Sequence, residues 1–333
     1  MKNSAVKTLA FRPEERNIFF HILTGCNLAC RHCYINREQH GSGMVSREKM
    51  VEWLKLFYEP AKESNVIFLG GEPTMHPDLA FAIKKARELG YSSVTVDTNG
   101  YLFHNLLERI SPADAVLSFS LDGPDAEVND PIRGEGVFET CTANLQKAVA
   151  LGFTTSLIYT VSRMNLEQLH RMPALLAELG VNRFFIQVIG LRGKSAKDPE
   201  NLQLTPEEWL RTVPPVAAQA AALGIPTIYP KVFLDENEKF ECAGRAAENF
   251  FIFPNGRVYR CPLCEDHPIH SLEIQDDGLK KRAGLHEECF FELEIPEGCV
   301  MNRLLQAGNI PYGPDGAPLH RISCCLLKQG VGL

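Results

Sequence analysis

Between residue 17 and about residue 225, short runs rich in Val, Ile, Phe and Thr alternate with longer stretches in which apolar residues recur every three or four positions. The runs at 18–23, 66–69, 93–96, 115–120, 155–160 and 183–188 are predicted as strands, and the stretches between them as helices. Ser46 precedes a helical set of Met50, Val51, Leu54 and Phe57, while the stretches 77–89, 137–151 and 165–179 stop at Gly90, Gly152 and Gly180. Thr205-Pro206-Glu207-Glu208 has the cap, the proline and the acidic first turn of a helix start. Six βα units in succession give an α/β fold with parallel strands and right-handed crossovers, either an open doubly wound sheet or a full or partial barrel. Either places the loops that follow the strands on one rim. The unusual residues collect there: a cysteine loop after the first strand, Gly70-Gly71-Glu72-Pro73 after the second, Thr98-Asn99-Gly100 after the third and Asp122-Gly123-Pro124 after the fourth.

After about residue 230 the helical period fades and cysteines, prolines and glycines rise. The stretch from Asn249 to Arg260 reads as a hairpin turning at Pro254-Asn255-Gly256. The expected organisation is an N-terminal extension over 1–17, a βα region over 18–230 and a small cysteine-rich domain over 231–333. A loop-rich domain with a thin core needs a staple, which metal-bound thiolates supply. A formal charge of −7 from 34 basic and 41 acidic residues argues against a phosphate-backbone binder, so no nucleic-acid partner is expected. No apolar run is long enough to span a bilayer and no signal-peptide core develops before Arg16, so a cytoplasmic location without a membrane partner is expected. In that setting the eleven cysteines read as metal ligands rather than disulfides.

Cys26, Cys30 and Cys33 follow the first strand with C-x3-C-x2-C spacing. Three thiolates wrap an iron–sulfur cube and leave one iron without a protein ligand, which makes an open metal site a substrate site. The competing reading is a zinc site or three small buried side chains. At these residues the chain resembles the radical S-adenosylmethionine (SAM) superfamily. The resemblance implies a partial (β/α)6 TIM-like barrel and a [4Fe–4S] cluster on Cys26, Cys30 and Cys33 whose open iron is chelated by SAM. One electron from the cluster would then give methionine and a 5′-deoxyadenosyl radical that takes hydrogen from a substrate. It also implies that His32 lies against the adenine, and that Gly70, Gly71, Glu72 and Pro73, a GGEP motif in the family, hold the amino group of SAM. A glycine pair after a strand is otherwise a tight turn, with Glu72 salt-bridged to a helix.

Ser118 and Ser120 alternate on the fourth strand, so both hydroxyls face one side. In the resembled family this strand end contacts the ribose or carboxylate of SAM; serines bonded to backbone are the alternative. Thr98, Asn99 and Gln187, at the ends of the third and sixth strands, are further cofactor contacts under the same resemblance. Arg133, Arg192, Lys194 and Lys197 lie in loops and are expected to be solvated, as are His267 and His270; the alternatives are a carboxylate partner for Arg133, an acidic substrate for Arg192, Lys194 and Lys197, and metal ligation for the histidines. Cys141 is expected to be buried.

Cys242, Gly256, Cys261 and Cys264 resemble the opening of the SPASM and twitch extensions of radical SAM enzymes. That resemblance implies at least one auxiliary [4Fe–4S] cluster, with Cys289, Cys299, Cys324 and Cys325 as the remaining ligands to choose from; the C-x2-C-x5-C-x3-C run of SPASM domains is missing. A zinc knuckle on the same residues is the alternative. The expected function is hydrogen abstraction from a ribosomal peptide or protein, giving a thioether, crosslink, epimer or dehydrogenated product. A small-metabolite substrate is the alternative within the class, and a non-catalytic redox or zinc module the alternative outside it. A flavodoxin or ferredoxin is the expected electron donor. With about seventeen residues ahead of the first strand, any leader-peptide recognition domain is expected to be a separate protein. No catalytic acid or base is assigned.

Overall fold

The computed structural model describes residues 5–198, 200–276 and 278–333; residues 1–4 of the expected N-terminal extension lie outside it. The strands are β1 (Lys7–Leu9), β2 (Glu15–His21), β3 (Glu63–Leu69), β4 (Ser93–Thr98), β5 (Val116–Ser120), β6 (Thr155–Val161), β7 (Arg183–Val188), β8 (Thr227–Pro230), β9 (Glu248–Ile252), β10 (Arg257–Tyr259), β11 (Leu272–Gln275), β12 (Gly278–Lys281) and β13 (Lys328–Val331). They form one sheet in the order β1-β13-β8-β7-β6-β5-β4-β3-β2-β9-β10-β11-β12. The six predicted strands are β2 to β7, parallel and in sequence order, as a partial barrel requires.

Two further parallel strands extend them. β8 pairs with β7, and β9, the first arm of the predicted hairpin, pairs parallel with β2. β13 and β1 then add antiparallel strands beyond β8. The sheet therefore runs without a break across residue 230.

Alternation along the strands sorts the two faces. Ile18, Phe20, Val66, Phe68, Val96, Phe119, Leu157 and Ile186 point outward and are buried under helices that contribute Leu54, Phe57, Ile83, Leu145, Leu176 and Val213. Each such fully buried side chain contributes about 1.5–3 kcal/mol. Ser46 and Thr205 cap their helices as expected, Thr205 within a capping box, and Gly90 and Gly180 close theirs at φ 98° and 70°. Several inward positions are polar instead. Ser93 Oγ donates to Asn65, Asn65 to Asn17 and Asn17 to Asn249 at 2.8, 3.1 and 3.3 Å, a ladder that fixes the register of β4, β3, β2 and β9.

A second apolar cluster holds Phe251, Phe253, Tyr259, Leu263, Cys264, Cys299, Val300, Met301 and Ile322. It joins the barrel interior through the stacked rings of Phe19 and Phe251, 4.5 Å apart. Among the described residues no helix is long and apolar enough to cross a membrane.

Candidate functional site

The loop after β2 is held from three sides. Arg31 N donates to Ile132 O at 2.9 Å, Lys194 N to Cys33 O at 2.8 Å and Glu72 N to Gly25 O at 2.9 Å. Gly71 and Gly193 are required by close approach: a Cβ on Gly71 would lie 2.2 Å from Gly25 O, and one on Gly193 2.6 Å from Cys33 O. Cys26, Cys30 and Cys33 stand half-buried as free thiols. Burial pushes Cys26 up to about 11 and raises Cys30, so a positive metal centre is needed to hold them as thiolates. Among the described residues no three His, Cys, Asp or Glu side chains converge to hold a single ion; a four-iron cube takes its thiolates around its corners rather than at one point. Thr24 Oγ1, Asn27 Nδ2, His32 Nδ1 and Gln187 Oε1 are buried without partners among the described residues. A buried polar atom without a partner is costly, and these fit a polar group seated across the rim.

Glu72 is enclosed. Oε1 accepts from Thr74 N, Thr74 Oγ1 and Thr98 Oγ1, and Oε2 accepts from Asn99 N at 2.7 Å. Burial raises its pKa against those four bonds. The carboxylate is not salt-bridged to a helix; it ties the ends of β3 and β4 together. Asn99 Nδ2 in turn donates to Asn27 at 2.9 Å and lies 3.7 Å from Cys26 Sγ.

His32 and Arg133 converge on Asp122. His32 Nε2 is 3.1 Å and Arg133 Nε 2.7 Å from Asp122 Oδ2, while Oδ1 accepts from Thr160 N. Burial works to raise the Asp122 carboxyl, but Arg133 and His32 outweigh it and bring it down to about 2. Arg133 thus takes the alternative of a carboxylate partner rather than the expected solvated loop position: Ala126–Arg133 is a helix and the guanidinium is 7% exposed. Pro131 sits inside that helix, which is why the segment reads as a loop.

Ser118 and Ser120 face the barrel interior beside Asp97, a carboxyl that sequence reasoning did not single out. Burial pushes Asp97 up to about 7, with a Ser118 hydrogen bond opposing. Its position one residue ahead of Thr98, on the inward phase of β4, was the available signal.

Arg192 is also not solvated. It pairs with the buried Glu265, donates to Pro262 O at 2.7 Å and lies 5.0 Å from the centre of the Tyr34 ring. Tyr34 OH donates to His21 Nε2 at 2.8 Å, and His21 Nδ1 donates to Ile252 O at 3.1 Å. Burial pushes His21 down to about 3, so the ring is neutral. This chain of contacts joins the cysteine loop to β9 and to the segment that carries Cys261 and Cys264.

Cys242, Cys261, Cys299, Cys324 and Cys325 come together, each perturbing others of the group. Burial, then Cys324, raises Cys242 to about 12; burial, then Cys324 and Cys261, raises Cys299. Within the vicinal pair, a hydrogen bond from Cys325 lowers Cys324 and raises Cys325. Cys264 lies against Cys261 and the buried Glu287. Cys289 stands apart, exposed among Arg245, Lys281 and Glu292. Cys141 is buried as expected and His267 exposed, but His270 is buried against the Tyr259 ring, 5.6 Å between centres. A histidine flanked by Ile269 and Ser271 carries no sequence mark of that burial.

The Radical SAM superfamily profile matches residues 20–176. The mycofactocin maturase MftC of Mycobacterium tuberculosis (strain ATCC 25618 / H37Rv) is 32% identical over 293 residues, 82% of this chain and 71% of that protein. MftC of Mycolicibacterium smegmatis is 27% identical over 292 residues, 82% of this chain and 70% of that protein. Among solved structures, Streptococcus suis SuiB bound to the precursor peptide SuiA has a TM-score of 0.64 at 15% identity over 90% of this chain. This chain spans 65% of SuiB, less than two thirds. The structure of anSMEcpe with bound AdoMet and a peptide has a TM-score of 0.59 at 15% identity, covering 88% of each chain. These two likenesses bear on the fold alone. With the parallel barrel, the three-thiol loop at its rim and the identity to MftC taken together, the chain belongs to the radical SAM superfamily.

Proposed function

We propose that this protein is a peptide or protein maturase that cleaves SAM reductively and takes a hydrogen atom from its substrate. The observation that carries this reading is the half-buried C-x3-C-x2-C loop on the barrel rim, surrounded by polar atoms that have no partner among the described residues. Cys26, Cys30 and Cys33 hold the [4Fe–4S] cluster, and its chemistry when bound is one-electron cleavage of the SAM sulfonium. His32, Thr98, Asn99, Ser118, Ser120 and Gln187 orient SAM, with Glu72 fixing the strand ends that carry Thr98 and Asn99. The Asp122–Arg133 pair holds His32 in place from behind. Four of Cys242, Cys261, Cys299, Cys324 and Cys325 supply the ligands of an auxiliary [4Fe–4S] cluster, and Cys289, standing apart, is left out. A peptide substrate is supported by the identity to the MftC maturases, which extends over 82% of this chain.

The test is anaerobic reconstitution, reduction with dithionite and addition of SAM. 5′-Deoxyadenosine is the expected product; its absence from a preparation with an intact, reduced rim cluster would reject the reading. Deuterated candidate peptides then identify the substrate by deuterium transfer into 5′-deoxyadenosine.

A further inference from the structure

Lys328 opens β13, where the antiparallel register sets it opposite Pro230 of β8. Its side chain is half-buried, with Nζ 3.2 Å from the main-chain oxygen of Cys325 and 4.9 Å from the centre of the Phe185 ring on β7. Phe185 shares the inward phase of β7 with Gln187, so the ammonium lies between the vicinal cysteines and the barrel interior.

Several other basic side chains of the C-terminal region have an acidic partner, and Arg321 donates to the main-chain oxygen of Glu238. Arg192 pairs with Glu265, Arg260 with Glu288, Arg245 with Glu292, and Lys231 with Asp235 and Glu238. Among the described residues no carboxylate stands within ion-pair distance of Lys328. Taking a cation out of water without a counter-charge is unfavourable, so the position calls for a negative partner that the surrounding side chains do not supply. An iron–sulfur cube ligated by four thiolates carries a net negative charge, which grows when it accepts an electron. A fixed positive charge beside it stabilises the reduced state more than the oxidised one, and the potentials of such clusters follow net charge and nearby charges.

We infer that Lys328 is the counter-charge of the auxiliary cluster and sets its reduction potential, holding it above the value the cysteines alone would give. This rests on the reading that a cluster occupies the C-terminal cysteines. The ammonium lies over the Phe185 ring and donates to the main chain that carries Cys325, so its position is set from both sides.

The test uses the full chain with Cys26, Cys30 and Cys33 replaced by Ala, so that the auxiliary cluster is the sole iron centre. Its midpoint potential is measured by EPR-monitored redox titration in that parent and after adding Lys328→Met or Lys328→Arg. The expected result is a shift to more negative potential for Lys328→Met and a value close to the parent for Lys328→Arg. Should Lys328→Met fail to bind iron, Lys328→Gln is titrated instead against the same two criteria. Equal iron content with an unshifted potential in the neutral variant would overturn the inference while leaving the cluster assignment standing. A shift in Lys328→Arg as large as in the neutral variant would also overturn it, because charge would then not be the cause. A parent that binds no iron would overturn both the cluster assignment and the inference.

Discussion

At the barrel rim, Cys26, Cys30 and Cys33 are half-buried on a loop whose neighbours carry unpartnered polar atoms. In the C-terminal region, Cys242, Cys261 and Cys325 are half-buried too, but Cys264, Cys299 and Cys324 are buried among Leu263, Val300, Ile322 and Leu327. The two settings suit different tasks. A metal centre that must admit and release a small polar molecule needs accessible coordination and vacant hydrogen-bonding capacity around it. One that shuttles or stores charge gains from an apolar shell that excludes water. The contrast teaches that thiol count alone is a poor guide to role; the chemistry of the surrounding side chains separates them.

The largest expected effect breaks the comparison at the rim. Replacing Cys26, Cys30 and Cys33 together by Ala should abolish 5′-deoxyadenosine formation and leave roughly four irons per auxiliary cluster, read by iron analysis and chromatography. Complete loss of iron from the folded variant would mean that the C-terminal thiols hold something else, zinc being the first metal to assay.

Next in size is the support behind the rim. Arg133→Met strands the fully buried Asp122 without its strongest partner, and should cost about 3–5 kcal/mol in denaturant unfolding of the metal-free protein. The same ion pair predicts an acid transition. Asp122 is held at about 2, below the ordinary carboxylate value, so its contribution is present above about pH 4 and lost as pH falls towards 2. The loss should be about 2 kcal/mol. Asp122→Asn should flatten the stability profile in that window, and an unchanged profile would show that another group controls it.

The smallest effect sharpens the C-terminal side. Cys289→Ser should leave iron content, the EPR spectrum and stability unchanged, because this thiol is exposed and away from the others. Loss of iron in that variant would bring Cys289 back into the ligand set.

The barrel and the rim loop were legible from sequence because their signals are local. Glycine-closed helices, β-branched runs and three cysteines within eight residues all lie inside short windows. What escaped depends on partners brought together only by folding. Arg192 looked solvated because Glu265 is 73 residues away, and Arg133 because the proline in its helix masks the helical period. The pairing of β9 with β2, which joins residues 232 apart, leaves no periodic trace in either segment. His21, Tyr34 and Asp97 are ordinary residues in strands and loops, and only the fold brings them to one side of the sheet.

That pairing has a mechanical outcome. β2 leads straight into the rim cysteines, and β9 is flanked in sequence by Cys242 and Cys261, so the two thiol groups hang from adjacent rungs of one hydrogen-bonded scaffold. The gap between them is fixed by strand spacing rather than by a hinge. An electron passing between centres held on these two strands would cross a span set by their pairing.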